Sequence, residues 1–297
     1  MHFKYTKKAR SLATLLITGV TPFFSTTVFA ADTSVSELPT VQIVSIEETN
    51  TPDIPTGECY VVVNVNIRKS PSKDSEVIGK PQKGEKINVI SADDTWAKTD
   101  KGYIWGGYIV KNYGCDLNIH SDTEHSSLYV GQAYDIINKM EQKYINILKK
   151  YEIHLCSNPV DSYKGRSPLS DEMSQEFLNG ITHIYIYQGI DERLMYLRGS
   201  SKLEYTIYHE LGHAIDYMNI ADTGNDSFFS DNEAVQKSFE SEKKAVKEKF
   251  SIDEDVIPTA NEYFAEAFRL SMTNPDELKE TAPIISDYIE QVKVQLP

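Results

Sequence analysis

Two histidines four residues apart, His209 and His213, enclose a glutamate in the run Tyr208-His209-Glu210-Leu211-Gly212-His213. On a helix, positions i and i+4 project from one face, so two imidazoles at this spacing converge on a single cation. The carboxylate of Glu210 then reaches the attacking water and can carry its proton to a leaving amine. Zinc suits this donor set, because it binds imidazole well and acidifies water without redox chemistry. The plain alternative is a pair of core histidines. Helical phase speaks against it: at about 100° per residue, Leu203, Ile207, Leu211, Ala214, Ile215 and Met218 make one apolar stripe, and both histidines lie roughly opposite it.

A catalytic zinc takes three protein ligands and keeps one position open. The longer spacing HExxHxxGxxH is absent, since Asp216 and Asn219 stand where its glycine and last histidine would be. The third ligand is therefore expected to be a carboxylate on a later helix. Glu233 lies 20 residues after His213, a spacing found in thermolysin-like peptidases, and Glu262 lies 49 residues after it. Glu233 has a competing explanation, because Ser230-Asp231-Asn232-Glu233 reads as a capping box. Glu262 and Glu266, in Asn261-Glu262-Tyr263-Phe264-Ala265-Glu266-Ala267-Phe268, are like charges at i, i+4. Such a pair is unfavourable unless a positive charge sits close.

The elements that must position these groups are legible in outline. Residues 126–150 carry apolar side chains at helical spacing, and Glu152–Cys156 and Thr182–Gln188 read as strands. The second strand is a candidate substrate track, as an edge strand can pair with an extended peptide; a purely structural strand fits equally well. Beyond residue 200 the pattern is helical except near 219–229 and 250–259, so residues 120–297 predict an α+β domain. Ahead of it, residues 59–115 show short alternating runs between turn-rich pieces, a small all-β pattern. Residues 31–58, rich in Ser, Thr, Pro and Glu, predict an extended linker. Residues 1–30 combine Lys4, Lys7, Lys8 and Arg10 with an apolar run and Val28-Phe29-Ala30. They predict a signal peptide cleaved after Ala30, too short and too broken to be a membrane span.

Two resemblances sharpen this outline. Asn66-Ile67-Arg68, Val77-Ile78-Gly79, Lys83-Gly84, Trp96 and Gly106-Gly107-Tyr108-Ile109-Val110 resemble a bacterial SH3 (SH3b) domain, an SH3-like barrel. That implies attachment to a cell-wall component or another extracellular ligand; a spacer without a ligand is the plainer reading. HELGHAID at 209–216 followed by NEYFAEAF at 261–268 resembles the anthrax lethal factor-like metallopeptidases, whose relatives include secreted Pro-Pro endopeptidases. The resemblance covers about residues 125–297 and implies a zincin-like domain. It also implies one zinc held by His209, His213 and Glu262, Glu210 as general base, and Glu266 and Asp216 as carboxylates orienting the imidazoles. In this family a tyrosine seven residues before the glutamate ligand stabilises the oxyanion. Asp255 stands there, which leaves Tyr196, Tyr208 and Tyr217 as replacements to consider.

Charge and cysteines bound the rest. Without residues 1–30 the chain carries 26 basic and 44 acidic side chains, a net of −18, concentrated in residues 116–297. Phosphates would be repelled, so nucleic acid is excluded as a partner. In an oxidising compartment Cys59 and Cys115, which bracket the β segment, are favoured as a disulfide over either pairing with Cys156, and the resemblance to a barrel whose chain ends lie near each other suits that bridge. Cys156 has no convincing base beside it. The expectation is a secreted, extracellular or wall-associated zinc endopeptidase acting on a protein or peptide. Two alternatives stand beside it: an inactive wall-binding protein with a metallopeptidase fold, and a cell-wall hydrolase.

Overall fold

The computed structural model describes residues 51–163, 179–187, 190–253 and 256–297. The expected signal peptide, most of the expected linker, Gln188 and Asp255 lie outside the described residues. Residues 50–297 form one compact unit.

The N-terminal part is all β. Strands β1 (Gly57–Val61), β2 (Ile67–Arg68), β3 (Val77–Gly79), β4 (Lys86–Ala92), β5 (Trp96–Thr99), β6 (Tyr103–Trp105) and β7 (Ile109–Val110) form an antiparallel sheet in the order β3-β2-β6-β5-β4-β1-β7. Period-two alternation turns Cys59 and Val61 of β1 and Ile87 and Val89 of β4 inward, onto Ile67, Ala97, Ile104 and Ile109.

The expected Cys59–Cys115 disulfide is not formed; both thiols are free. The alternation of β1 commits Cys59 to the small β core, where it donates to the Pro55 carbonyl, whereas Cys115 joins the larger core and donates to Asn138 Oδ1. Cys156 is also free and fully buried, and burial pushes its thiol up to about 12, so it is no nucleophile.

An α+β region follows: β8 (Ile119–Ser121), α1 (Glu124–Ser127), α2 (Val130–Ile137), α3 (Gln142–Leu148), β9 (Glu152–Cys156), α4 (Pro159–Tyr163), β10 (Gly180–Tyr187), β11 (Ile190–Arg198) and α5 (Leu203–Ala221). Five more helices complete it: α6 (Glu233–Ser241), α7 (Lys243–Phe250), α8 (Ala260–Thr273), α9 (Pro275–Thr281) and α10 (Pro283–Gln295). Residues 126–150 hold the end of α1 and two further helices rather than one, and Glu141 adopts an extended conformation (φ −61°, ψ 148°) that separates α2 from α3. The second sheet has the order β10-β11-β9-β8, with β8, β9 and β11 parallel and β10 antiparallel at the edge. The hairpin partner β11 was not anticipated from the sequence.

Helix α5 runs through the middle of this region. Leu203, Ile207, Leu211, Ala214 and Ile215 are fully buried, and each large apolar side chain so buried contributes about 1.5–3 kcal/mol. The opposite face is buried too, which the sequence pattern did not indicate: His209 and His213 are 9% and 6% exposed. That face meets α8. A Cβ at Gly212 would lie 2.7 Å from the Ala265 Cα, so only glycine permits this approach. Among the described residues no helix is long and apolar enough to cross a membrane.

Candidate metal centre

The close pairing of α5 and α8 sets the site. Helix α5 presents His209, Glu210 and His213, and α8 presents Glu262 and Glu266. Thr259 is the N-cap of α8, and its hydroxyl accepts from the Glu262 N–H at 3.4 Å. Glu262 thus occupies the first turn, where unpaired amides favour a carboxylate. It is Glu262, not Glu233, that stands three residues after a side-chain cap. Helix α6 is capped instead by Asn232, whose side chain accepts from the Ala234 N–H, and Glu233 is exposed.

His209 Nε2 and His213 Nε2 lie 3.1 and 3.2 Å from the same oxygen, Glu262 Oε2. All three ligand atoms fall within 4.8 Å of one another. A tetrahedral zinc with bonds of about 2.0–2.1 Å needs neighbouring ligands roughly 3.3 Å apart, so the two imidazoles and the carboxylate fit that ion.

Glu266 is fully buried and accepts from His209 Nδ1 at 3.1 Å, Tyr205 Oη at 3.0 Å and Arg269 Nε at 3.0 Å, all at Oε2. Its other oxygen takes Arg269 Nη2 at 2.8 Å. The Arg269 guanidinium also lies 4.4 Å over the Tyr205 ring, which is nearly parallel to the His209 ring. With Nδ1 held in this way, His209 presents Nε2 to the cluster.

Glu210 is 4% exposed, and its Oε2 accepts from Thr182 Oγ1 of the edge strand at 2.7 Å. Burial pushes its carboxyl above the usual range, opposed by the two imidazoles and Thr182. A Cβ at Gly180 would come 2.5 Å from Glu210 Oε1. Gly180→Ala is therefore expected to displace the Glu210 carboxylate and cut peptide hydrolysis about 10²-fold, the cost of a misplacement near 1 Å. Zinc content, measured by atomic emission, should stay at the wild-type level.

Electrostatics point the same way. Burial disfavours charged imidazoles, yet the hydrogen bonds and charges of Glu262 and Glu266 raise His209, and Glu262 raises His213. Burial would likewise raise Glu262, but the imidazoles hold it far below the usual carboxylate range. Arg269 already pairs with Glu266, which leaves the buried Glu210 and Glu262 carboxylates beside two imidazoles, a set that a divalent cation would neutralise.

Asp216 does not orient an imidazole through a hydrogen bond. It accepts from Ser230 N and Oγ at 2.8 and 2.7 Å, tying α5 to the short turn at Phe229–Asp231, and His213 Nδ1 is buried without a partner among the described residues. The reason is competition: the i, i+3 spacing keeps Asp216 on the His213 side of the helix, but both of its oxygens are taken by Ser230. Burial raises its carboxyl from 3.8 to about 6. Because the folded state binds this proton more tightly, its ionisation removes stability as pH rises through that window, by about 3 kcal/mol in total. Denaturant melts at pH 4 and pH 7 should show wild type losing about 2 kcal/mol relative to Asp216→Asn as pH increases, since the unfolded carboxyl is already partly ionised at pH 4.

Of the three tyrosines considered for an oxyanion, only Tyr217 stacks on a cluster imidazole, that of His213 at 6.2 Å. Tyr196 packs on His154, and Tyr208 is half-buried against the core. Sequence reasoning missed Thr182, Gly180, Tyr205 and Arg269. Tyr205 is four residues before His209 and Arg269 three after Glu266, so helical spacing could have found both. Thr182 and Gly180 reach Glu210 only through the packing of β10 on α5.

Comparison with known proteins agrees with this organisation. Residues 119–292 match the family described as anthrax toxin lethal factor, N- and C-terminal domain, and residues 63–113 match the bacterial SH3 domain. Among solved structures, the Pro-Pro endopeptidase from Paenibacillus alvei is similar at 17% identity with a TM-score of 0.37, covering 60% of this chain and 97% of that chain. No curated protein matches the sequence.

Proposed function

Because the chain belongs to the anthrax toxin lethal factor family, with that domain spanning residues 119–292, we propose that it is a zinc-dependent endopeptidase with a zincin-like catalytic domain. The observation that carries this reading is the convergence of His209 Nε2, His213 Nε2 and Glu262 Oε2, with Glu210 on the same helix. His209, His213 and Glu262 would hold the ion. Bound zinc would polarise the scissile carbonyl and bring a water's pKa towards neutrality. Glu210 takes the proton from the attacking water and returns it to the leaving amine. Its burial makes it more basic than a solvent-exposed carboxylate, and Thr182 holds it in place. Glu266, with Arg269 and Tyr205 behind it, keeps His209 turned to the ion.

Among the described residues β10 is an edge strand, whose outer side we infer receives an extended substrate beside Glu210. The sequence of residues 1–30 supports export, and the bacterial SH3 domain at 63–113 supports attachment to a cell-wall component. Purified protein is expected to contain one zinc per chain. It should also cleave members of an unfolded peptide library, with activity lost to a chelator and restored by zinc. Retained metal with no cleavage across the library would favour the inactive binding protein. Clearing of cell walls without peptide cleavage would favour the hydrolase.

A further inference from the structure

A second pair of imidazoles lies on the four-stranded sheet. Alternation along β9 sends Ile153 and Leu155 into the main core and turns Glu152 and His154 to the other face. His120 of β8 is the register partner of His154 across one parallel pair, and Tyr196 of β11 is its partner across the other. The three rings form a row, His120 on His154 at 5.5 Å and His154 on Tyr196 at 5.0 Å.

The surroundings of His154 repeat those of His209. His209 sets Nδ1 against Glu266 and Nε2 against Glu262, each at 3.1 Å. His154 sets Nδ1 against Asp122 at 3.1 Å and Nε2 against Glu152 at 3.0 Å. Each ring also stacks on a tyrosine, Tyr205 in one case and Tyr196 in the other. In both places a second imidazole faces the same carboxylate oxygen: His213 Nε2 lies 3.2 Å from Glu262 Oε2, and His120 Nε2 lies 3.7 Å from Glu152 Oε1. A neutral imidazole donates to only one of two flanking carboxylates. Its other nitrogen meets the second carboxylate only through a cation, a further proton or a metal ion. Two imidazoles turned to one oxygen select the metal, which takes several ligands at once, and a carboxylate on the far nitrogen is its usual companion.

We propose that His120 Nε2, His154 Nε2 and the Glu152 carboxylate bind a second zinc ion, with Asp122 orienting the His154 ring. The site is weaker than the catalytic one for two reasons. Among the described residues only His209, His213 and Glu262 have all ligand atoms within 4.8 Å of one another. The half-exposed His120 ring therefore turns towards His154 as the ion binds, and it gives up the contact of Nε2 with Asn118 Oδ1 at 2.8 Å. Glu152 is also 42% exposed, so water competes for it. Such an ion leaves on dialysis, and the purified protein keeps one zinc. When bound, it ties β8, the first strand of the α+β region, to β9.

The site shares no residue with the catalytic cluster, so the two are counted separately. Zinc is titrated calorimetrically into dialysed full-length protein. Wild type should take up one further equivalent with a Kd below about 100 µM. His120→Ala and Glu152→Gln should each lose that equivalent and keep the dialysis-resistant zinc. Glu152→Gln preserves side-chain size, so its loss does not report unfolding. Asp122→Asn should weaken uptake about tenfold, as expected for an outer hydrogen-bond partner. His125→Ala, which removes an exposed imidazole packed edge-on against Tyr129, should leave it unchanged. Excess zinc should raise the denaturation midpoint of wild type and not that of His120→Ala. The proposal is overturned if wild type takes up no further equivalent below that limit, or if His120→Ala and Glu152→Gln both retain it. Protein that holds no zinc after dialysis, yet takes up one equivalent dependent on His120 and Glu152, would support this site and overturn the catalytic one.

Discussion

Glu210→Gln is expected to lower peptide hydrolysis by about 10³-fold or more while the protein keeps its zinc. The substitution preserves length and shape, and the glutamine oxygen can still accept from Thr182 Oγ1, which lies 2.7 Å from Glu210 Oε2. What disappears is the ability to take up a proton. General acid–base catalysis of this kind contributes about 10²–10⁴-fold, and the same carboxylate serves both the attacking water and the leaving amine. Glu210 is not among the three converging ligand atoms, so metal content should not change. The decisive measurement is kcat on a cleaved library peptide beside zinc stoichiometry for the same preparation. Activity within tenfold of wild type at full metal loading would remove Glu210 from the mechanism.

The second large effect concerns the third ligand. Glu262→Ala should weaken zinc binding by more than about 100-fold, beyond the 10–100-fold expected for loss of an outer hydrogen-bond partner. Glu233→Ala should leave zinc binding unchanged, because Glu233 is exposed at the start of α6 and is not one of the three residues whose ligand atoms converge. Glu262 Oε2 is the atom on which His209 and His213 both converge. Its loss leaves two ligands, too few for a site of three protein donors and one open position. Competition with a chromophoric chelator measures both variants, and circular dichroism shows whether α8 is intact. The assignment fails if Glu233→Ala strips the metal and Glu262→Ala does not.

The strand Glu152–Cys156 was legible because alternation is a local property, and the structure has it with those bounds. The choice between Glu233 and Glu262 rested partly on assigning the capping role to Glu233, and that step was incorrect. Ser230 is occupied by Asp216, while Thr259 caps the helix that carries Glu262. Both stretches have the same Ser/Thr-x-x-Glu form, so short-range pattern could not separate them. Cys59 was misread for a related reason: bracketing a segment says nothing about the core to which a strand's alternation delivers a thiol.

The pairing of His209 with His213, and the placement of Glu210 between them, belonged to the sequence alone, since helix pitch over four residues determines it. Everything that closes the cluster was decided by tertiary packing. Glu262 arrives from 49 residues away because Gly212 lets α8 approach α5, and Thr182 arrives through the docking of an edge strand. Contacts of that kind depend on how whole elements seat against one another, and no periodicity within a single element encodes them.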